Sequence, residues 1–297
     1  MGLRNNIGTI AVLLLTTFTY AIPKAEKNAL IDLYESTNGI NWNNSWDLSA
    51  NVSSWEGVVI ENNHVVSITL FNNNLEGMLP NTIGNLENLQ VLNLAFNNLK
   101  GKLPQGIFQL QNLKVLRLGK NQFTGAIPNE IANLSSLEHL DLFSNHISGE
   151  LPESIGSMTA LKVISLSANT LSGKLPESFA KLANLERLEL SDNNLGGDIP
   201  MGIAQLLKLQ TLVISENGFS NSFPSQIMNM PNLELLQIQK NKFTADFLTQ
   251  LAQTESNLVL FDYDGNQDTT LKKDLKNFYI DATTRTAKTI FEDEQSN

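Results

Sequence analysis

Two carboxylates and three histidines are the side chains with the clearest catalytic potential in this sequence. Asp141 and Glu189 occupy equivalent places in a repeated segment, two units apart. A pair of carboxylates can act as acid and base in glycoside hydrolysis. The histidines, His64, His139 and His146, have no HExxH spacing and no other metal-ligand spacing. The glycines form no phosphate-binding loop, since the repeat described below accounts for them.

The acidic segment DYDGNQD, residues 262–268, comes nearest to a metal-binding motif. Its acidic and amide side chains alternate as they do in an EF-hand calcium loop. That loop needs glycine where this sequence has Gln267, and a final glutamate where it has Lys273. The chain has no cysteine, which excludes disulfides, thiolate metal sites and thiol nucleophiles. We therefore predict no metal site and no cofactor.

These residues are carried by a repeat that organises most of the chain. The phrase LxxLxLxxNxLxGxLPxxIxxLxx recurs end to end, and the spacing between its copies never changes. Its first positions are Val65, Leu89, Leu113, Leu137, Leu161, Leu185, Leu209 and Leu233. Apolar residues at positions four and six alternate with polar or small ones, which predicts a short strand with one face turned inward. Position thirteen is usually Gly and position sixteen usually Pro, so a turn should follow each strand.

Asparagine at the ninth position of every unit is the unexpected feature of this pattern. Asn97, for example, stands where an inward residue would be expected. Its amide offers two donors and an acceptor, and buried backbone groups need hydrogen-bond partners. We therefore predict that these asparagines, stacked one per unit, bind the backbone of neighbouring turns.

The repeated phrase resembles the leucine-rich repeat in its plant-type 24-residue (LxGxIP) class. That class is found in plant receptor ectodomains, in polygalacturonase inhibitors and in secreted bacterial proteins. The resemblance implies an α/β repeat fold: a right-handed solenoid with parallel strands on its concave face and helical caps. The segment SWEGV, residues 54–58, resembles the cap of plant-type ectodomains, which usually carries cysteine pairs. Their absence here favours the Cys-free secreted bacterial members.

The ends of the chain suggest how it is divided. Residues 1–21 combine Arg4 with the apolar run 7–15 and end in the small residue Ala21, which is typical of a secretory signal peptide. We predict an N-terminal cap at 22–64 and eight repeats at 65–256. Residues 257–297 should hold a degenerate ninth repeat, a C-terminal cap and a frayed tail, because terminal repeats are commonly atypical. We expect no membrane span once the signal is removed.

The third, fifth, seventh and eighth positions of each unit should point outward from the strands. Phe71, Phe96 and Phe143 fall among them, and exposed aromatics beside cations are enriched at binding surfaces. The other interpretation is that these rings only cover each other. The complete predicted ligand-binding face comprises Phe71, Phe96, Arg117, Lys120, His139, Asp141, Phe143 and Arg187. An open face excludes little water and offers no way to raise a carboxyl pKa, so we predict no catalysis.

The favoured function is a secreted or cell-surface, non-catalytic recognition module that binds a protein or peptide on the concave face. The alternative is a carbohydrate-binding or cell-surface adhesion protein, using Trp42, Trp46 and Trp55 with the phenylalanines on a glycan. Three tryptophans in a terminal cap more often pack in its core, and we favour that interpretation of them. A formal net charge of −10 disfavours nucleic acid as a partner. The eighth-position column is too mixed for ice binding, which needs repeated small residues.

Overall fold

The computed structural model describes residues 22–244 and 258–262. The predicted signal peptide at 1–21 lies outside them. So do residues 245–256 of the predicted eighth repeat and most of the predicted C-terminal cap and tail. No helix of the described segments is long and apolar enough to cross a membrane.

One long sheet holds the first strand of each repeat. Its strands follow chain order and are parallel, except that β1 and β2 are antiparallel. Their bounds are β1 Val58–Glu61, β2 His64–Thr69, β4 Val91–Asn93, β6 Val115–Arg117, β8 His139–Asp141, β10 Val163–Ser165, β12 Arg187–Glu189, β14 Thr211–Val213, β16 Leu235–Gln237 and β18 Leu260–Asp262. The register joins equivalent positions of successive units, as in the pair Val163 and Arg187. The predicted solenoid of parallel strands is confirmed.

A second parallel sheet follows the turn in each coil, and the sequence analysis did not predict it. Its strands are β3 Glu76–Gly77, β5 Asn98–Gly101, β7 Gln122–Gly125, β9 His146–Glu150, β11 Thr170–Lys174, β13 Asn194–Gly197, β15 Gly218–Ser222 and β17 Lys242–Thr244. The strands β3 to β13 end at the repeated glycine or one residue past it, and Gly101, for example, has φ of +85°. Asn221 replaces that glycine in the seventh unit and takes the same left-handed conformation, with φ of +64°. Asparagine tolerates this region better than other non-glycine residues.

Short 3₁₀ helices return the chain along the opposite side of each coil. Each begins directly after the repeated proline, which has no backbone N–H to lose at that point. They span Asn81–Asn85, Gln105–Gln109, Asn129–Asn133, Glu153–Ser157, Glu177–Lys181, Met201–Gln205 and Ser225–Asn229. Segments this short show no helical periodicity in a sequence, which is why these elements were not predicted.

The N-terminal cap is built from α1 (Lys24–Ser36), two 3₁₀ turns (Gly39–Asn41 and Val52–Ser54) and the strand β1. Glu26 on α1 is buried, and its carboxylate accepts a hydrogen bond from the Val65 N–H at 2.7 Å and contacts His64 Nδ1 at 2.5 Å. The helix is therefore tied to the first strand of the array.

The predicted asparagine ladder is confirmed. The amide nitrogen of Asn97 donates to the carbonyls of Leu70, Leu94 and Ala95 at 2.8–3.2 Å. Its oxygen accepts from the N–H groups of Asn73 and Leu75 at 3.0 and 2.9 Å. Asn121, Asn145, Asn169, Asn193, Asn217 and Asn241 repeat this arrangement in their own coils.

We expect Asn97→Ala to destabilise the protein by about 3 kcal/mol, because it leaves several buried backbone groups without partners. Its neighbour Asn98 supplies a matched control, since it is exposed and its amide makes one long hydrogen bond of 3.4 Å. Asn98→Ala should cost less than about 0.5 kcal/mol. Urea unfolding of both variants measures the difference, and equal stabilities would contradict the structural role of the ladder.

Candidate functional site

The side chains at the third, fifth, seventh and eighth positions of each unit lie on the outer side of the long sheet and of the turn that follows each strand, and form one surface, called here the long-sheet face. The eight predicted residues all lie on it, in units one to six, but they do not form one uniform patch. Three phenylalanines form an aromatic cluster at the end of the strands. The charged residues and His139 lie along the strands themselves, apart from Lys120, which follows β6.

Phe71, Phe96 and Phe143 form a continuous aromatic cluster. The ring centroids of Phe71 and Phe96 are 5.0 Å apart, and those of Phe96 and Phe143 are 5.8 Å apart. Phe71 and Phe96 each keep 37% of their surface exposed, whereas Phe143 is half-buried. The rings do cover each other, and Phe71 and Phe96 still keep part of their apolar surface exposed. Ligand binding by this surface stays a prediction.

Gly119 makes this cluster possible, and the sequence analysis missed it. Phe96 and Phe143 belong to units two and four, so a coil separates them. A Cβ added to Gly119, in the intervening unit, would lie only 2.3 Å from Cδ1 of Phe143. The missing side chain leaves the space that the Phe143 ring fills. A glycine at the outward seventh position was the available signal, since the repeat itself does not require it there.

Phe96 and Lys120 project from an unusual backbone conformation. Every described residue at the eighth position of a unit has a left-handed backbone, with φ between +50° and +60°. These residues are Asn72, Phe96, Lys120, Ser144, Ala168, Asp192, Glu216 and Lys240. Non-glycine residues rarely adopt this conformation, which costs roughly 1–2 kcal/mol each. The turn that follows each strand imposes it in every coil.

A row of polar side chains runs across the middle of the face. The strand register places Arg117, Asp141, Ser165 and Glu189 side by side in successive coils. The Ser165 hydroxyl donates to Glu189 Oε2 at 3.0 Å, and Arg187 donates to Glu189 Oε1 at 3.0 Å. Glu189 is buried, so both of its oxygens are held within the protein.

Asp141 is buried, which contradicts the prediction that it lies open on the surface. Only 6% of it is exposed, because Phe143 and the adjacent coils cover it. Burial raises the pKa of Asp141 to about 7, with a further rise from the charge of Glu189. A hydrogen bond from the Phe143 N–H and the charge of Arg117 oppose this rise. The expectation that this face cannot raise a carboxyl pKa was therefore wrong.

His139 precedes Asp141 by two residues on β8 and is half-buried. Its Nδ1 atom is buried and makes no hydrogen bond within the described residues. Burial, followed by the charge of Arg117, lowers the pKa of His139. The imidazole is therefore kept neutral more readily than in water.

The three tryptophans belong to the core of the cap and not to a sugar-binding surface. Trp42, Trp46 and Trp55 are buried. The ring centroids of Trp42 and Trp46 are 4.9 Å apart, and so are those of Trp46 and Trp55. Their indole N–H groups donate to the carbonyls of Thr37, Glu56 and Asp47. The packing of the tryptophans in the cap core, which the sequence favours over stacking on sugars, is confirmed.

Two shallow cavities open near the ends of the strands. One of about 350 Å³ lies beside Phe96 and Lys120, with amide side chains around it: Asn43, Asn72, Asn74, Asn97 and Asn98. The other, of about 310 Å³, lies at the start of the strands near Glu61, His64 and Lys114. Neither is lined by Asp141 or Glu189, and the described residues contain no group of three or more potential metal ligands.

Three family models match the chain. A leucine-rich repeat region model matches residues 68–170, and two leucine-rich repeat models match residues 151–195 and 208–230. No curated protein sequence matches the chain.

Solved structures similar to the chain include plant receptor ectodomains. The Arabidopsis receptor kinase HAESA, in complex with the peptide hormone IDA and the co-receptor SERK1, is 36% identical with a TM-score of 0.56; the match covers 58% of this chain and 29% of HAESA. The ectodomain of SOBIR1 from Arabidopsis thaliana is 30% identical with a TM-score of 0.52, over 58% of this chain and 95% of SOBIR1. A plant ice-binding protein is 27% identical with a TM-score of 0.56, and the match covers 75% of this chain and 80% of the ice-binding protein. The chain spans 28–32% of the first three structures that it matches.

We predict that Gly119→Ala separates Phe143 from Phe96 and destabilises the protein by about 1–3 kcal/mol, since the new methyl group would overlap the Phe143 ring. A double-mutant cycle with Phe143→Ala isolates this clash. The cost of Gly119→Ala, measured by urea unfolding, should fall by at least about 1 kcal/mol when Phe143 is already Ala. Additive costs would show that Gly119 has no role in placing the ring.

We predict that Asp141→Asn weakens the pH dependence of stability. Because the folded-state pKa is raised, the wild type loses stability as pH increases from about 4 through about 7. Between pH 5 and pH 8, Asp141→Asn should reduce this loss by about 2 kcal/mol. Asparagine fits this position of the repeat. Asn93, at the same position in unit two, accepts a hydrogen bond from the Ala95 N–H at 3.2 Å, as Asp141 does from the Phe143 N–H.

The control is Asp192→Asn, which removes an exposed carboxylate from the same face. Its pH profile of unfolding should follow that of the wild type. A profile for Asp141→Asn as steep as the wild-type profile would refute the assignment of this titration to Asp141.

Proposed function

Since the chain belongs to the leucine-rich repeat proteins, we propose that it is a secreted, non-catalytic recognition module. In this proposal it binds a protein or peptide on the long-sheet face, through Phe71, Phe96 and Phe143 with the charged residues beside them. The aromatic cluster carries the proposal, because it brings two partly exposed rings into contact with each other and with a third on one face.

The position of the cluster supports recognition. Aromatic side chains contribute disproportionately to protein interfaces, where they act as anchors within a rim of polar groups. Phe96 lies at a shallow cavity whose other lining residues are asparagines and Lys120. An apolar anchor with amide and ammonium groups around it suits a peptide, which presents both side chains and backbone groups.

The similar solved structures support the same class of ligand. HAESA is described as bound to a peptide hormone, and it is 36% identical to this chain over the matched part. That match covers 29% of HAESA. We carry over only the general class, a peptide or protein, and not the identity of the hormone.

The finer family placement is also a proposal. The unvarying repeat length and the Gly–Pro pattern support the plant-type class. The absence of cysteine supports kinship with Cys-free secreted bacterial members. The composition of residues 1–21 supports export, and with it a secreted or cell-surface location.

A catalytic role is less well supported than recognition. Asp141 has the raised pKa that a general acid needs. Its carboxyl is covered by Phe143, however, and Glu189 is engaged by Ser165 and Arg187. Neither described cavity brings a substrate to the two carboxylates. We therefore propose that these groups shape the face and do not perform hydrolysis.

Two other ligands are weaker candidates. The tryptophans cannot stack on a glycan, because all three rings are buried. Only the phenylalanines of the aromatic cluster would then be available to a sugar ring. Ice binding is suggested by one similar structure, but the eighth-position column varies from Phe96 to Lys120 to Ala168. Such a column offers no repeated surface to an ice lattice.

A phage-displayed library of random peptides, selected on the purified chain, tests the proposal. Peptides should be enriched, and Phe71→Ala with Phe96→Ala should weaken their binding at least tenfold, because the anchors are lost. The matched control is Met201→Ala with Leu207→Ala, which removes similarly exposed apolar side chains, at 57% and 61%, outside the long-sheet face. This pair should bind the peptides normally.

Two outcomes would contradict the proposal. One is enrichment of no peptide whose binding depends on Phe71 and Phe96. The other is retention of the chain by a glycan array in a manner that needs the same two rings, which would instead establish the carbohydrate alternative.

A further inference from the structure

The charge of the long-sheet face differs from that of the protein as a whole. In the first five units, the four outward positions comprise 20 residues, five at each position. Arg117 and Lys120 are the permanent cations among them, and Asp141 is the one acidic residue. Asp141 is buried, so this part of the face exposes no carboxylate on a chain whose net charge is −10. A basic surface on an acidic protein favours an anionic partner.

Asp141 lies directly under the aromatic cluster. An added Cβ on Gly119 would be 2.8 Å from Asp141 Oδ1 and 2.3 Å from Phe143 Cδ1. The carboxyl and the ring edge therefore converge on the same small space. The backbone also links them, because the Phe143 N–H donates to Asp141 Oδ1 at 3.2 Å.

Ionisation of Asp141 therefore changes both the positive charge of the face and its aromatic cluster. A buried carboxylate needs a cation or water, since burial without a partner is costly. The adjacent cation by strand register is Arg117, which an ionised Asp141 would neutralise in part. The edge of the Phe143 ring adjoins the carboxyl in the space over Gly119, so solvation of the charged form would disturb this ring, which contacts Phe96. Ionised Asp141 thus reduces the positive charge beside the aromatic cluster and also loosens the packing of that cluster.

Other charged or titratable groups face Asp141 from its own strand and from neighbouring strands. Arg117 lies on the adjacent strand β6. On the other side β10 contributes the uncharged Ser165, and beyond it Glu189 on β12 is bonded to Arg187 and Ser165. His139 shares strand β8, and its pKa is lowered by burial and by Arg117.

We propose that the long-sheet face binds an acidic peptide segment with apolar anchors, and that ionisation of Asp141 weakens this binding as pH rises from about 6 to about 8. The inference rests on the proposed peptide-binding function and adds the charge of the ligand and its regulation. The anionic groups of the peptide meet Arg117 and Lys120, and its apolar side chains meet Phe71 and Phe96.

The test uses the same displayed library of random peptides, selected on the purified chain at pH 6. Enriched peptides should carry net negative charge together with aromatic or aliphatic residues. One enriched peptide is then synthesised, and its dissociation constant is measured at pH 6 and pH 8 by isothermal titration calorimetry. The wild type should lose about tenfold in affinity at the higher pH, which is the size of one added charge near the ligand.

Three variants test whether Asp141 causes the pH dependence of peptide affinity. Asp141→Asn keeps the uncharged form at both pH values, so its affinity should change less than twofold between them. His139→Gln should keep the tenfold change, although its absolute affinity can differ. Asp192→Asn, which removes an exposed carboxylate of unit six, should also keep it. Circular dichroism at both pH values confirms that each variant is folded.

The failures of the two proposals are distinguishable. If no enriched peptide depends on Phe71 and Phe96, the peptide-binding function itself is refuted. If such peptides are enriched but are neutral or basic, the acidic ligand is refuted and peptide binding stands. If affinity is equal at pH 6 and pH 8, or if Asp141→Asn keeps the full change, the role of Asp141 is refuted.

Discussion

A buried asparagine amide in each coil is the interaction on which the rest of this structure depends. The amide of Asn121 donates to the carbonyl of Leu94 in the preceding coil and to those of Leu118 and Gly119 in its own. Its oxygen accepts from the N–H of Leu99, again in the preceding coil. These bonds satisfy backbone groups that a sharp bend would otherwise leave buried and unpaired. They also hold each coil one full repeat from the next, so the strands can pair only in one register.

The fixed register determines what the long-sheet face can expose. Adjacent strands lie about 4.8 Å apart, so short outward side chains are covered by their neighbours in the next coils. Asn93, Asp141, Ser165 and Glu189 are therefore buried even though they point away from the core. Larger side chains at the ends of the strands, such as Phe96, remain partly exposed. The face therefore has buried polar side chains along the strands and an aromatic cluster at the ends of the strands.

The sequence predicted the repeat, the solenoid of parallel strands and the role of the asparagines, because each depends on a local pattern repeated many times. It did not predict the second sheet or the 3₁₀ helices, whose segments are too short to carry a periodic signal. For the face, it identified Phe71, Phe96 and Phe143 as neighbours. It could not show that Asp141 is buried, since burial depends on side chains from adjacent coils. Nor could it show that the absence of a side chain at Gly119 lets one ring reach another across a coil.

The left-handed residue after each strand has a consequence for how such a face can diversify. The scaffold imposes this conformation on Phe96, Lys120, Ala168 and Glu216 alike, none of which is β-branched, so its energetic penalty is similar for these side chains. Exchanging one of these types for another there changes the folding free energy little, while it alters the chemistry presented to the outside. This column is thus a row of interchangeable positions, through which selection or an engineer can alter binding preference without rebuilding the framework.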